Sequence, residues 1–266
     1  MKLEGYRCFS HIDDECRAYA VHHRGIGPPV IIIHELAGIS PALLDFADQV
    51  VGSGFSVCLP VLLPRSGGKS RLLVGTVHVC ISAEFVKFAT RKTSPIVSWL
   101  RSLAQKLHDE TGDRVGVVGM CLTGGFALAM AVDDHVAAPV MAHPSLPIAV
   151  GSRRRRDLGL DPDHLKILKD RRDLRILGVR FSSDLVAPAP RFDRMKSEFG
   201  GRFTRMEIRS GCRNPFGLPF WEHSVLNNPR LQSRAKKDVR ARIELEGVVS
   251  HVIEFLTMRL KDTPAA

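Results

Sequence analysis

The sequence predicts an α/β fold with a doubly wound, mostly parallel sheet flanked by helices. Short apolar runs such as Val30-Ile-Ile-Ile and Val115-Gly-Val-Val-Gly read as strands covered on both faces, as parallel sheets require. Longer stretches with helical periodicity lie between them, and strands alternating with helices close a parallel sheet through crossovers. The size agrees: 266 residues, 44% hydrophobic and 25% charged, have the composition of one globular domain over 1–266.

Taken in order, residues 15–23 alternate imperfectly and read as an early strand. The turn Gly25-Ile-Gly-Pro-Pro29 leads into the strand at 30–34. Ser40 is placed to cap a helix whose first residue is Pro41 and which ends near Gly52 or Gly54, because Ser accepts the free amides of a first turn and Pro has none to lose. Phe55-Ser-Val-Cys-Leu59 is the next strand. Residues 61–94 show no period; they are expected to cover a pocket, with Arg91 or Lys92 facing an anionic substrate. Further on come a helix at 95–109, a strand at 115–119, a small-residue helix at 126–131 and strands at 136–142 and 174–181. A helix at 188–199, a strand at 203–208 and an amphipathic helix at 239–260 complete the chain. Residues 151–172 read as a surface excursion.

Several function classes recede on composition. The N-terminus Met1-Lys-Leu-Glu-Gly-Tyr-Arg-Cys lacks the apolar core of a secretory signal, and no apolar run approaches the ~20 residues that span a bilayer. The six cysteines, Cys8, Cys16, Cys58, Cys80, Cys121 and Cys212, show no CxxC spacing. Neither a disulfide framework nor a metal site is expected, no cofactor is implied, and reduced thiols fit a cytoplasm. The formal charge of +10 is concentrated in part at Arg153-Arg154-Arg155-Arg156, while aromatic residues are only 6%. That is thin for base stacking, so the charge is read as solvated surface and nucleic acid is not expected as a partner.

The chemistry-bearing segment is Val115-Gly-Val-Val-Gly119-Met-Cys121-Leu-Thr123-Gly124-Gly125. An apolar strand runs into a tight small-residue turn that opens a helix, the context of the nucleophile elbow of the α/β-hydrolase fold. Such a turn presents Cys121 outward, aims the Leu122 backbone N–H at a developing oxyanion, and favours thiolate at a helix N-terminus. The usual pattern has glycine where Thr123 stands, which implies a widened turn. The alternative for Cys121 is a packed structural cysteine at a close strand–helix crossing.

A nucleophile needs a base and an orienting acid, which follow it in this fold in the order acid, then histidine. His143 ends an inner strand and lies too early; His251 falls in the last helix. His223, in Trp221-Glu-His-Ser, lies in the loop before that helix, where the base is expected. Asp184 directly follows the strand at 174–181; its alternative role is a turn cap before Pro188. The loop His34-Glu35-Leu36-Ala37-Gly38 ends the strand at 30–34 and is expected to supply a second oxyanion donor, the Leu36 backbone N–H. Glu35 opposes a thiolate electrostatically and on spacing alone reads as a solvated loop residue.

Together the segments 30–38, Gly119-Met-Cys121-Leu-Thr-Gly-Gly, Ser183-Asp184-Leu-Val-Ala-Pro188 and Glu222-His223-Ser224 resemble the dienelactone hydrolase family, loosely over about 10–255. The resemblance implies a Cys121–His223–Asp184 triad, and a Glu35 that pairs with the resting cysteine and takes its proton when substrate arrives. The expected function is hydrolysis of an ester or lactone through a thioester acyl-enzyme, on a small-molecule substrate, by a monomer or weak homodimer. Three departures bear on the substrate. His34 replaces a glutamine; Val225-Leu-Asn-Asn228 stands where an arginine grips the substrate carboxylate, with Arg213 and Arg230 near but unassigned; and 151–172 and 209–222 differ in length. Thr123 and the missing arginine motivate the rival reading, a catalytically silent α/β-hydrolase scaffold that binds a ligand or regulates.

Overall fold

The computed structural model describes residues 3–35, 38–62, 94–212, 214 and 217–262. Eight strands form one sheet: β1 (Arg7–Ile12), β2 (Ala18–Arg24), β3 (Pro29–Ile33), β4 (Ser56–Pro60), β5 (Val115–Met120), β6 (Val136–Ala142), β7 (Ile176–Phe181) and β8 (Phe203–Ile208). Their order is β1-β2-β4-β3-β5-β6-β7-β8. β1 and β2 pair antiparallel, as do β2 and β4, whereas β4 through β8 are parallel. The described helices are α1 (Pro41–Gly52), α2 (Pro95–Thr111), α3 (Gly124–Met130), α4 (Gly151–Arg155), α5 (Pro162–Asp170), α6 (Ala189–Phe199), α7 (Pro229–Ala235) and α8 (Val239–Leu260).

Every residue of β3, β5, β6 and β7 is buried, which explains their unbroken apolar sequence. Two hydrophobic layers do the covering. One face carries Trp99, Leu100 and Leu103 of α2, Phe126 and Leu128 of α3, and Phe192 and Met195 of α6. The other carries Leu43, Phe46 and Val50 of α1 with Val248, Val252, Phe255 and Leu256 of α8. Local signals set the helix ends. Ser40 Oγ accepts the Leu43 amide at 3.2 Å, Asp238 caps α8 through the Arg240 amide, and Gly112 closes α2 in the left-handed region.

Three features differ from the sequence expectation. β1 is an edge strand with mostly exposed residues, so it carries no apolar alternation to detect. α7 has only seven residues, too few for a period, although its Asn228-Pro229 start is a recognisable cap. The excursion at 151–172 contains α4 and α5, and Arg153, Arg154 and Arg156 are exposed there. No described helix is long and apolar enough to cross a membrane.

Candidate active site

The carboxyl ends of the parallel strands converge, the place where open α/β sheets bind ligands. Glu35 follows β3, Cys121 follows β5, His143 follows β6 and Asp184 follows β7; His223 arrives on the long connection from β8 to α7.

Cys121 sits at φ +55°, a left-handed conformation that costs a non-glycine residue free energy and is held only where the surroundings enforce it. They do so here through close contact. A Cβ on Gly119 would lie 2.2 Å from the Thr123 carbonyl oxygen, and one on Gly124 would lie 2.7 Å from Pro144 Cα. The glycine that this turn needs after the cysteine is therefore Gly124. Thr123, at φ −89°, needs no glycine, and its hydroxyl accepts the Met120 amide at 3.0 Å and donates to the Ile33 carbonyl at 3.1 Å. Thr123 thus ties the elbow to the end of β3. Residues 121–123 form a single 3-10 turn ahead of α3. Cys121 is half-buried, and its sulfur lies 3.5 Å from Ser145 Oγ; the Ser145 amide donates to the Cys121 carbonyl at 3.0 Å.

Asp184 is 2% exposed and uses both oxygens. Oδ1 accepts the Val186 and Ala187 amides at 2.8 and 2.9 Å, and Oδ2 accepts from His223 Nδ1 at 2.7 Å. The two readings of this residue, turn cap and partner of histidine, hold at once. Arg180 fixes the turn from below, donating to the Asp184 and Ala187 carbonyls. With Nδ1 donating to Asp184, Nε2 is the ring nitrogen turned away from the carboxylate. Nε2 is buried and makes no well-formed hydrogen bond among the described residues; Cys121 is near enough to act on it electrostatically. Burial lowers the imidazole pKa, but the hydrogen bond to Asp184 and the Cys121 sulfur outweigh it and raise the pKa to about 10.

Glu35 makes no hydrogen bond to Cys121 among the described residues. Its Oε2 accepts from Ser224 Oγ at 2.9 Å and lies 3.5 Å from His143 Nε2. Burial raises its pKa, yet His143, Ser224 and Asn227 outweigh that and hold the carboxyl below its ordinary range. His34 supports the local backbone: Nε2 accepts the Leu62 amide at 3.1 Å and Nδ1 donates to the Glu35 carbonyl at 2.8 Å. Burial lowers its pKa, in keeping with a neutral ring.

The sequence passed over His143 and Ser145. Both lie on the strap leaving β6, and the signal for them is spatial, since β6 is the immediate neighbour of β5. Leu122 stands directly after the cysteine. Leu36, Arg91, Lys92 and Arg213 lie outside the described residues. Arg230 is turned toward Glu222, 3.6 Å away. Among the described residues, no group of three or more His, Cys, Asp or Glu side chains is placed to hold a metal ion.

Comparison with known proteins agrees with this architecture. No curated protein sequence matches the chain. Among solved structures, a dienelactone hydrolase from Anabaena variabilis superposes with a TM-score of 0.62 at 16% identity, covering 97% of this chain and 100% of that one. A cold-adapted esterase from an Arctic intertidal metagenomic library gives 0.60 at 13% identity, covering 98% and 97%. An esterase from Pyrococcus furiosus gives 0.55 at 12%, covering 96% and 92%. At these identities the likeness establishes the α/β-hydrolase fold. A profile of the dienelactone hydrolase family matches residues 16–208, and on that match the chain belongs to the dienelactone hydrolase family.

Proposed function

We propose that the protein hydrolyses an ester or lactone by acyl transfer through Cys121. The observation that carries this reading is the 2.7 Å contact from His223 Nδ1 to Asp184 Oδ2, which leaves Nε2 on the side of a cysteine held in a strained elbow. That contact supports reading Cys121 as nucleophile, His223 as base and Asp184 as orienting acid, roles identified by geometry rather than by sequence position.

The proton that Cys121 gives up is held on His223 Nε2, whose raised pKa keeps it there, and the sulfur attacks the carbonyl carbon. The Leu122 backbone N–H, with that of Leu36 as the expected second donor, stabilises the oxyanion. Collapse of the tetrahedral intermediate breaks the ester C–O bond, and the leaving alkoxide takes the proton from His223. In a lactone the leaving group stays attached to the acyl chain. His223 then removes a proton from water; the hydroxide attacks the thioester, and the thiolate leaves as a carboxylic acid forms. Burial of Asp184 keeps its acceptor aligned and the imidazolium stabilised through both half-reactions.

The first variant to make is Cys121→Ala. It removes one sulfur at a half-buried position, so the fold is expected to persist while turnover of an ester and lactone panel is lost. Turnover retained in this variant refutes the assignment. A wild-type Cys121 that reacts with iodoacetamide no faster than the other cysteines favours the silent scaffold. The partner is read as a small neutral or anionic acyl compound. The five described cysteines are free, which supports placing the protein in a reducing cytoplasm.

A further inference from the structure

Only three non-glycine residues among those described have positive φ: Cys16, Cys121 and His143, the last at +40°. Two of the three therefore stand in one site, and strain of this kind persists where surrounding structure over-determines it. The backbone at His143 is held by its amide, which donates to the Val179 carbonyl at 2.6 Å, and by the fixed strap through Ser145. The bend turns an imidazole with no solvent exposure into the space between Glu35 and the loop carrying His223.

The hydrogen bonds determine the tautomer. The Val225 backbone N–H donates to His143 Nδ1 at 3.2 Å, so Nδ1 is an acceptor and a neutral ring carries its proton on Nε2. That nitrogen lies 3.5 Å from Glu35 Oε2, an electrostatic contact, and makes no hydrogen bond to any described residue. The same carboxylate oxygen receives the Ser224 hydroxyl. Val225 and Ser224 follow His223 in the chain, so Glu35 and His143 together grip the segment that positions the base. The ring edge of His143 also meets His223, centroids 4.8 Å apart at 79°.

We propose that His143 is a positioning residue of this site: a neutral imidazole, protonated on Nε2, that binds Glu35 and the Val225 amide together and so commits Glu35 to the His223 loop instead of to Cys121. The proposal departs from what the family resemblance implies for Glu35. On this geometry the carboxylate is structural support for the loop that carries His223. The consequence for catalysis rests on the acyl-transfer reading above; the tautomer does not. The charged and titratable groups around His143 are Glu35 after β3, Asp184 after β7 and His223 on the loop before α7, and burial opposes charge on the ring.

The full chain labelled with nitrogen-15 at histidine and studied near neutral pH tests the tautomer. Long-range proton–nitrogen correlations distinguish the two neutral forms and the cation. The His143 signals among those of 11 histidines are identified by their loss in His143→Asn, or in His143→Gln if the former does not fold. The expected pattern is a neutral ring with hydrogen on Nε2; hydrogen on Nδ1 alone, or a cation, overturns the proposal. Alkylation of Cys121 by iodoacetamide against pH, in Glu35→Gln, His143→Asn and the double variant, tests the coupling. Each single change is expected to displace the profile and to slow the neutral-pH rate by about tenfold to a hundredfold, through slippage of the base. The double variant should fall within about twofold of the slower single one, because both act through one contact. Effects that multiply, or profiles that superimpose on wild type, overturn it. The expected tautomer together with an unreactive Cys121 refutes acyl transfer and leaves the position of His143 in place.

Discussion

At Asp184 one carboxylate oxygen serves the backbone and the other serves His223: Oδ1 caps the turn at Val186 and Ala187, and Oδ2 holds the imidazole. This division makes Asp184→Asn an informative exchange. The amide oxygen can still accept the two backbone N–H groups, so the turn survives. The NH₂ then meets Nδ1 and forces the proton to Nε2, the wrong tautomer for the base of the proposed mechanism. We expect kcat to fall by about 10⁴-fold, the size known for this exchange in an unrelated triad, with little change in melting temperature. A loss of activity that instead tracks a loss of folded protein shows that the residue acts as a cap alone. Asp184 and His223 stood out as candidates in the sequence because chain order and loop context mark them, and the structure brings them within 2.7 Å. His143 was not, because nothing local distinguishes a histidine that ends a strand from one turned into a site by a φ of +40°.

At the scale of elements, the elbow depends on how closely α3 and the 143–145 strap approach the end of β5. Gly124 is a close approach that a substitution can probe cleanly, since its backbone is right-handed (φ −56°, ψ −38°) and only space forbids a side chain. A Cβ there would stand 2.7 Å from Pro144 Cα, a backbone atom that cannot swing aside. Gly124→Ala is expected to destabilise by about 1–3 kcal/mol in denaturant unfolding through overpacking and to disturb Ser145 beside the sulfur. Gly201→Ala, where nothing lies within 4 Å, is the control and should stay within about 0.5 kcal/mol. The central strands and the long helices were readable because burial on both faces and an amphipathic period leave local traces. β1 and α7 left too little of either.

Over the whole molecule, buried histidines and the site pair act on stability in opposite pH ranges. Burial, the largest influence on each, holds His34 and His143 below their ordinary pKa of 6.5. An unfolded chain binds protons there more readily, so their contribution is present above pH 6.5 and lost as pH falls below it. His223 behaves oppositely: its pKa is raised from 6.5 to about 10, so its contribution is full below about pH 6.5 and is lost as pH rises through about 10. The melting temperature is therefore expected to peak near neutrality and to fall on both sides, as scanning calorimetry from about pH 5 to 10 can measure. Cys121→Ala should flatten the alkaline decline, because it removes one of the two partners that hold the proton on His223. A stability that climbs steadily to pH 9 contradicts this account.

What the sequence determined by itself was the class of fold, the placement of most strands and helices, and the identity of Cys121, Asp184 and His223 as candidates. Those features depend on short-range patterns: apolar runs, a period of 3.6, caps, and a nucleophile at a strand-to-helix turn. What only the tertiary structure decided was the wiring among side chains far apart in the chain. That Glu35 binds Ser224, that Thr123 bridges to Ile33, and that His143 receives the Val225 amide depends on strand order and on backbone bends. Hydrogen-bond partners are chosen across a few ångströms of space, and the sequence separations that bring them there carry no periodic signal.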